Sequence, residues 1–163
     1  MKSLLIVWHG RTGATEQMVG AASESAAAVE DVQVNSVRAE RASAADVLAA
    51  DALLFAAPEN LAALSGAMKE FFDRSYYDLL DRCNGKAYAS IICAGSDGEG
   101  AQCQLDRIAT GLRMRRVAPP IIINTAAQTR EAILAQKKLG AADLRRGTEL
   151  GALFAEGLAM GIF

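Results

Sequence analysis

The stretch Leu4-Leu5-Ile6-Val7-Trp8-His9-Gly10-Arg11-Thr12-Gly13-Ala14-Thr15 places five apolar residues in a row and follows them with two glycines and two threonines. An apolar run with no polar alternation suits a strand buried on both faces, as in a parallel sheet. Downstream, Met18, Ala22, Ala26 and Val29 recur at helical spacing, and Val32 to Val37 alternates like a second strand. The economical reading is a strand–helix–strand unit.

The alternation continues outward. Ala44 to Ala50 suits a helix, and Ala52 to Ala56 a strand whose end is punctuated by Pro58. Leu64 to Tyr77 is a helix with Met68, Phe71 and Phe72 turned inward and with Lys69 and Arg74 on its wet face. Ala87 to Ala94 is a fourth strand, Gln102 to Leu112 a helix, and Pro120 to Asn124 a fifth strand that tolerates Pro119 and Pro120 only near its start. The remainder is helical, divided near Gly140. These 163 residues therefore predict a single α/β domain over residues 1–163: a three-layer, doubly wound, five-stranded parallel sheet in the order 2-1-3-4-5.

Charge and cysteine usage narrow the function classes. With 17 basic and 19 acidic residues the net charge is −2, too weak a field to gather nucleic acid or coat a membrane. Cys83, Cys93 and Cys103 match neither a zinc site nor a CxxC pair, so they are expected as free thiols in a reducing cytoplasm. The apolar run at residues 4–8 is far too short for a signal peptide or a membrane helix. A soluble cytoplasmic protein without a metal site is the expectation.

In open sheets of this kind, ligands bind beyond the carboxyl ends of the strands, where the strand order reverses. Three loops converge there: His9 to Thr15, Ala57 to Leu64 and Gly95 to Gly100. The first runs straight into a helix, so backbone N–H groups, the Thr12 and Thr15 hydroxyls and the positive helix end meet as a phosphate cradle. It has neither the spacing of a P-loop nor the GxGxxG of a dinucleotide fold. Taken alone it also fits a tight turn with Thr12 as helix cap, and Asp97-Gly98 fits the apex of a solvated turn. His9, the sole histidine, either balances phosphate charge or is a loop residue with no such duty.

Gly10-Arg11-Thr12-Gly13-Ala14-Thr15 resembles the phosphate loop [ST]-x-T-G-x-T of the flavodoxin-like superfamily, with Gly10 where Ser or Thr is usual. The run from Pro58-Glu59-Asn60-Leu61 through Phe71-Phe72-Asp73-Arg74, followed by Gly85-Lys86, is similar to the NAD(P)H-dependent FMN reductase and quinone reductase branch. The resemblance implies that Arg11, Thr12, Gly13, Ala14 and Thr15, with His9 beside them, hold the phosphate of FMN. It implies that Pro58, Glu59, Asn60 and Leu61 flank the isoalloxazine, and that Gly95, Ser96, Asp97 and Gly98 face its pyrimidine edge.

Neither ring-side loop contains an aromatic residue, unlike electron-carrier flavodoxins, so a nicotinamide can stack over an open flavin face. The expected function is an FMN-binding oxidoreductase. It would pass hydride from NAD(P)H, a transient co-substrate, to a quinone, free flavin or similar small acceptor, with no obligatory acid–base residue. A one-electron carrier of the flavodoxin type and a flavin-free binding domain on the same fold are the alternatives. Homodimerisation is implied by the resemblance alone.

Overall fold

The computed structural model describes residues 1–163. The strands are β1 (Lys2–Trp8), β2 (Val32–Arg38), β3 (Ala52–Asn60), β4 (Ala63–Leu64), β5 (Ala87–Ala94), β6 (Arg115–Arg116) and β7 (Ile121–Asn124). The helices are α1 (Ala14–Ala27), α2 (Ala44–Ala49), α3 (Gly66–Leu79), α4 (Glu99–Gly111), α5 (Arg130–Leu134) and α6 (Ala141–Ala159).

The strands of the main sheet run parallel in the order β2-β1-β3-β5-β6. β7 also pairs with β5, further along it: β6 lies beside Ala87 and Tyr88, β7 beside Ile91 to Ala94. The expected order is realised, with the fifth strand position filled in two pieces. The gap between them ends in Pro119 and Pro120, which lack the N–H that a continuous ladder needs.

The apolar run of β1 divides by parity. Leu4 and Ile6 enter a cluster with Met18, Ala22 and Ala26 of α1 and Leu150, Phe154 and Leu158 of α6. Leu5 and Val7 enter a second cluster with Val47 of α2, Met68 and Phe71 of α3 and Leu105 of α4. A strand buried on both sides has no polar face to show, which is why this run lacks alternation. α1 and α6 pack backbone to backbone at Gly151, where a Cβ would overlap the Ala22 carbonyl, and Ser25 Oγ donates to the Thr148 carbonyl at 2.8 Å.

Two expectations need correction. β3 does not stop before Pro58: its parallel register runs to Pro58 opposite Cys93, and Glu59 and Asn60 then turn back against β4. The turn between them, Leu61 and Ala62, has φ of 52° and 60°, left-handed for both residues. Arg74 is exposed on α3 as expected, yet it is not idle there: its guanidinium donates to the carbonyls of Ala39 and Ala42, pairs with Glu70 and lies over the Phe71 ring, tying α3 to the turn after β2. Beyond β7 the division near Gly140 is present, with α6 starting at Ala141, but less of the segment is helical than expected, since residues 125–129 and 135–140 lie outside both α5 and α6.

Candidate functional site

The carboxyl ends of β1, β3 and β5 open onto a cleft of about 400 Å³, within the size range of small-molecule sites. From the β1–α1 loop it takes Arg11, Thr12, Ala14 and Thr15; from the end of β3, Pro58, Glu59 and Asn60; and from the end of β5, Cys93, Ala94 and Gly95. Eight of the fourteen residues expected from sequence thus line one wall system: Arg11, Thr12, Ala14, Thr15, Pro58, Glu59, Asn60 and Gly95.

The loop owes its shape to Gly13, which precedes α1 at φ 93°, a conformation open to glycine without a steric penalty. No side chain caps α1, whose first N–H groups have no partner within the helix. With the helix dipole behind them, these donors favour an anion. Arg38 steadies the other side of the loop: it stacks on Trp8 at 4.7 Å and donates to the Gly10 carbonyl at 3.3 Å. Thr15 is buried against the cleft floor beside Cys93, whose thiol burial pushes up to about 11. That thiol stays protonated and unreactive at neutral pH.

Six of the fourteen lie off the cleft wall. His9 is buried, with Nδ1 hydrogen-bonded to Ser65 Oγ at 2.9 Å and Nε2 3.8 Å from Glu40. Burial lowers its pKa, aided by Arg38 and Arg11 and opposed by Glu40. Gly13 supplies the turn behind the wall, Leu61 is fully exposed at the tip of the β3–β4 hairpin, and Ser96 and Asp97 are exposed. Gly98 is buried at φ 101°, and a Cβ on it would come within 2.5 Å of Ile122.

Glu59 connects two of the loops. Its carboxylate accepts from Gly98 N–H at 2.9 Å and Ala101 N–H at 3.1 Å, capping α4 from another strand where α4 has no side-chain cap of its own. The anion position at the start of α4 is thereby filled, while that of α1 carries no such side chain.

The segment after β7 completes the cleft with Thr125, Ala127, Ile133, Leu134 and Lys137, residues the sequence reading missed. Thr125 N–H donates to the Ala94 carbonyl at 2.8 Å, and Gly95 comes so near Ala127 that a Cβ would sit 2.9 Å from its carbonyl oxygen. No aromatic side chain lines the cleft. No group of three or more His, Cys, Asp or Glu side chains is arranged to hold a metal ion, and no helix is long and apolar enough to cross a membrane.

Residues 11–128 match the NADPH-dependent FMN reductase family. The chain belongs to that family. This FMN reductase family member is also 32% identical over 112 residues to a protein of Aquifex aeolicus (strain VF5) described as a flavodoxin, a match covering 69% of the chain and 60% of that relative. Among solved structures, a flavodoxin from the domain Archaea superposes with TM-score 0.79 at 18% identity, over 96% of this chain and 99% of that one. The WrbA-like protein from Agrobacterium tumefaciens gives 0.69 at 18% identity, over 98% and 99%. The rubredoxin oxygen:oxidoreductase of Desulfovibrio gigas gives 0.77 at 14% identity, over 99% of this chain but 37% of that one. At these identities the likeness is one of fold, and it is the flavodoxin-like fold.

Proposed function

We propose that this family member is an FMN-binding oxidoreductase that takes hydride from NAD(P)H and delivers reducing equivalents to a quinone, free flavin or similar small acceptor. The observation that carries the reading is the cleft itself, which joins an uncapped helix start to an open, non-aromatic pocket. The donor set suits a flavin phosphate: the N–H groups around residues 11–15, the Thr12 and Thr15 hydroxyls, and the charge of Arg11. Pro58, Glu59, Asn60 and Gly95 line the same cleft and would flank the ring.

Bound there, FMN would supply the hydride chemistry. The chain's own work is positional. α1 and its loop fix the phosphate end, and Glu59 locks the start of α4 to the end of β3 so that the two ring-side loops keep their separation. The absence of aromatic cover leaves the approach of a nicotinamide unobstructed. No side chain has to move a proton, and holding donor and acceptor in line is the catalytic contribution. Free thiols at Cys83, Cys93 and Cys103 support a reducing, cytoplasmic setting.

A one-electron carrier is the second reading, favoured by the relative described as a flavodoxin. Anaerobic titration separates the two. FMN is added to the purified protein while flavin fluorescence is followed, and NADPH or NADH is then added. Saturable quenching followed by rapid bleaching of the flavin colour is expected. Quenching without bleaching would favour the carrier, and no quenching would overturn the flavin site.

A further inference from the structure

Residues 129–139 lie beyond the part of the chain matched to the family and run against the loop that leads into α1. Their helix, α5, has only five residues, too short to stand without external support. Locally, Thr129 Oγ1 accepts from Ala132 N–H at 3.2 Å, and Lys137 Nζ donates to the carbonyls of Ala132, Ile133 and Ala135.

The link to the rest of the molecule is Gln17 on α1. Its Nε2 donates to the carbonyls of Gly13 and Lys137, both at 2.8 Å, and its Oε1 accepts from Leu139 N–H at 3.1 Å. Lys137 N–H adds a bond to the Thr12 carbonyl at 2.7 Å, and the Gln136 amide sits so close to Gly13 that a Cβ there would overlap it. The strap and the α1 loop are therefore one hydrogen-bonded unit. Into the cleft this strap presents Ile133 and Leu134, large apolar residues left 52% and 61% exposed.

We propose that Gln17 is a positioning residue for flavin binding: it holds the strap Thr129–Leu139 against the phosphate loop so that Ile133 and Leu134 form a cleft wall that bound FMN covers. The inference rests on the flavin reading above and names the part of this chain that refines it. Two apolar side chains exposed in a cleft wall are surface that a flat ligand removes from water. Because strap and loop form one hydrogen-bonded unit, a ligand that orders the loop also holds the strap, and by linkage the strap tightens the ligand's binding. The effect belongs mainly in the dissociation rate.

The test compares FMN dissociation, read by fluorescence recovery, in the wild type, Gln17→Leu and the double variant Ile133→Ser/Leu134→Ser. Trypsin digestion with and without FMN accompanies it, since Arg130, Lys137 and Lys138 all lie in the strap. FMN is expected to protect the wild-type strap. Gln17→Leu is expected to open the strap to trypsin and to speed dissociation about tenfold, a change of about 1.4 kcal/mol. The double variant keeps every anchor and is expected to speed dissociation without exposing the strap, at unchanged melting temperature. Wild-type dissociation rates in both variants, or no protection by FMN, would overturn the strap proposal and leave the flavin site standing. A wild type that fails to bind FMN would overturn both.

Discussion

His9 and Ser65, separated by 56 positions in the sequence, share a buried hydrogen bond of 2.9 Å between Nδ1 and Oγ. The bond joins the residue after β1 to the residue before α3, so the two loops on either side of the strand-order reversal are pinned together behind the cleft. Ser65→Ala leaves a buried imidazole nitrogen without its partner and is expected to cost about 1–3 kcal/mol in denaturant unfolding.

The same histidine gives a pH dependence. Burial holds its pKa below the ordinary 6.5, with Arg38 and Arg11 adding to the effect and Glu40 opposing it. The unfolded chain therefore takes up the proton more readily than the folded one. The associated stability is present in full above pH 6.5 and is lost as pH falls from there through the lower folded-state value. Wild type is expected to lose stability over that interval more steeply than His9→Gln, measured as the difference between two urea-unfolding series.

Glu59 caps α4 through two N–H groups across 39 and 42 positions of sequence. Glu59→Ala strips both acceptors, and a loss of about 1–3 kcal/mol is expected in thermal or urea unfolding. Hydrogen exchange at Gly98 and Ala101 is expected to accelerate more than exchange within α1, which locates the damage at the loop after β5.

Thr12 and Thr15 are hydroxyl donors on the wall next to the α1 N-terminus. Replacing both with Val keeps their shape and β-branching while removing two hydrogen bonds to an anion. FMN affinity is expected to fall about 10- to 100-fold, with riboflavin, which lacks the phosphate, affected far less. Isothermal titration with both flavins reads the contrast, and equal losses for the two would count against a phosphate at this loop.

Leu61 and Ala62 form a two-residue hairpin turn with both φ values positive, the geometry that Asn-Gly adopts at least cost. Leu61→Asn with Ala62→Gly is expected to raise stability by about 1–3 kcal/mol by relieving left-handed strain at two residues with side chains. A lower melting temperature in that double variant would show that the Leu61 and Ala62 side chains contribute more than the strain they carry.

How much of this was legible follows from the range of the interactions. The doubly wound sheet was readable because parallel strands buried on both faces leave continuous apolar runs, as at Leu4 to Val7. Pro119 and Pro120 likewise marked the start of β7, though not the separate piece β6 before them. The β3–β4 hairpin left no signal, because Leu61-Ala62 contains none of the residues that turns favour, and Pro58 reads as an end although β3 passes through it. The tie that Arg74 makes left no signal because its acceptors, the Ala39 and Ala42 carbonyls, lie more than 30 positions away. The strap was invisible for the same reason: Gln17 reaches Lys137 across 120 positions, and no local pattern announces such a bond.

The seating of α6 on α1 bears on how the molecule is made. α1 carries the first cleft loop at its start, and part of the surface it packs against, at Leu150, Gly151 and Phe154, is encoded more than 120 residues later. During synthesis the loop sequence leaves the ribosome early, but the helix behind it has only the sheet to rest on until α6 has followed. The strap that closes one side of the cleft also emerges late. Completion of the cleft is therefore a late step of folding, and until α6 arrives the face of β1 that carries Leu4 and Ile6 lacks part of its cover.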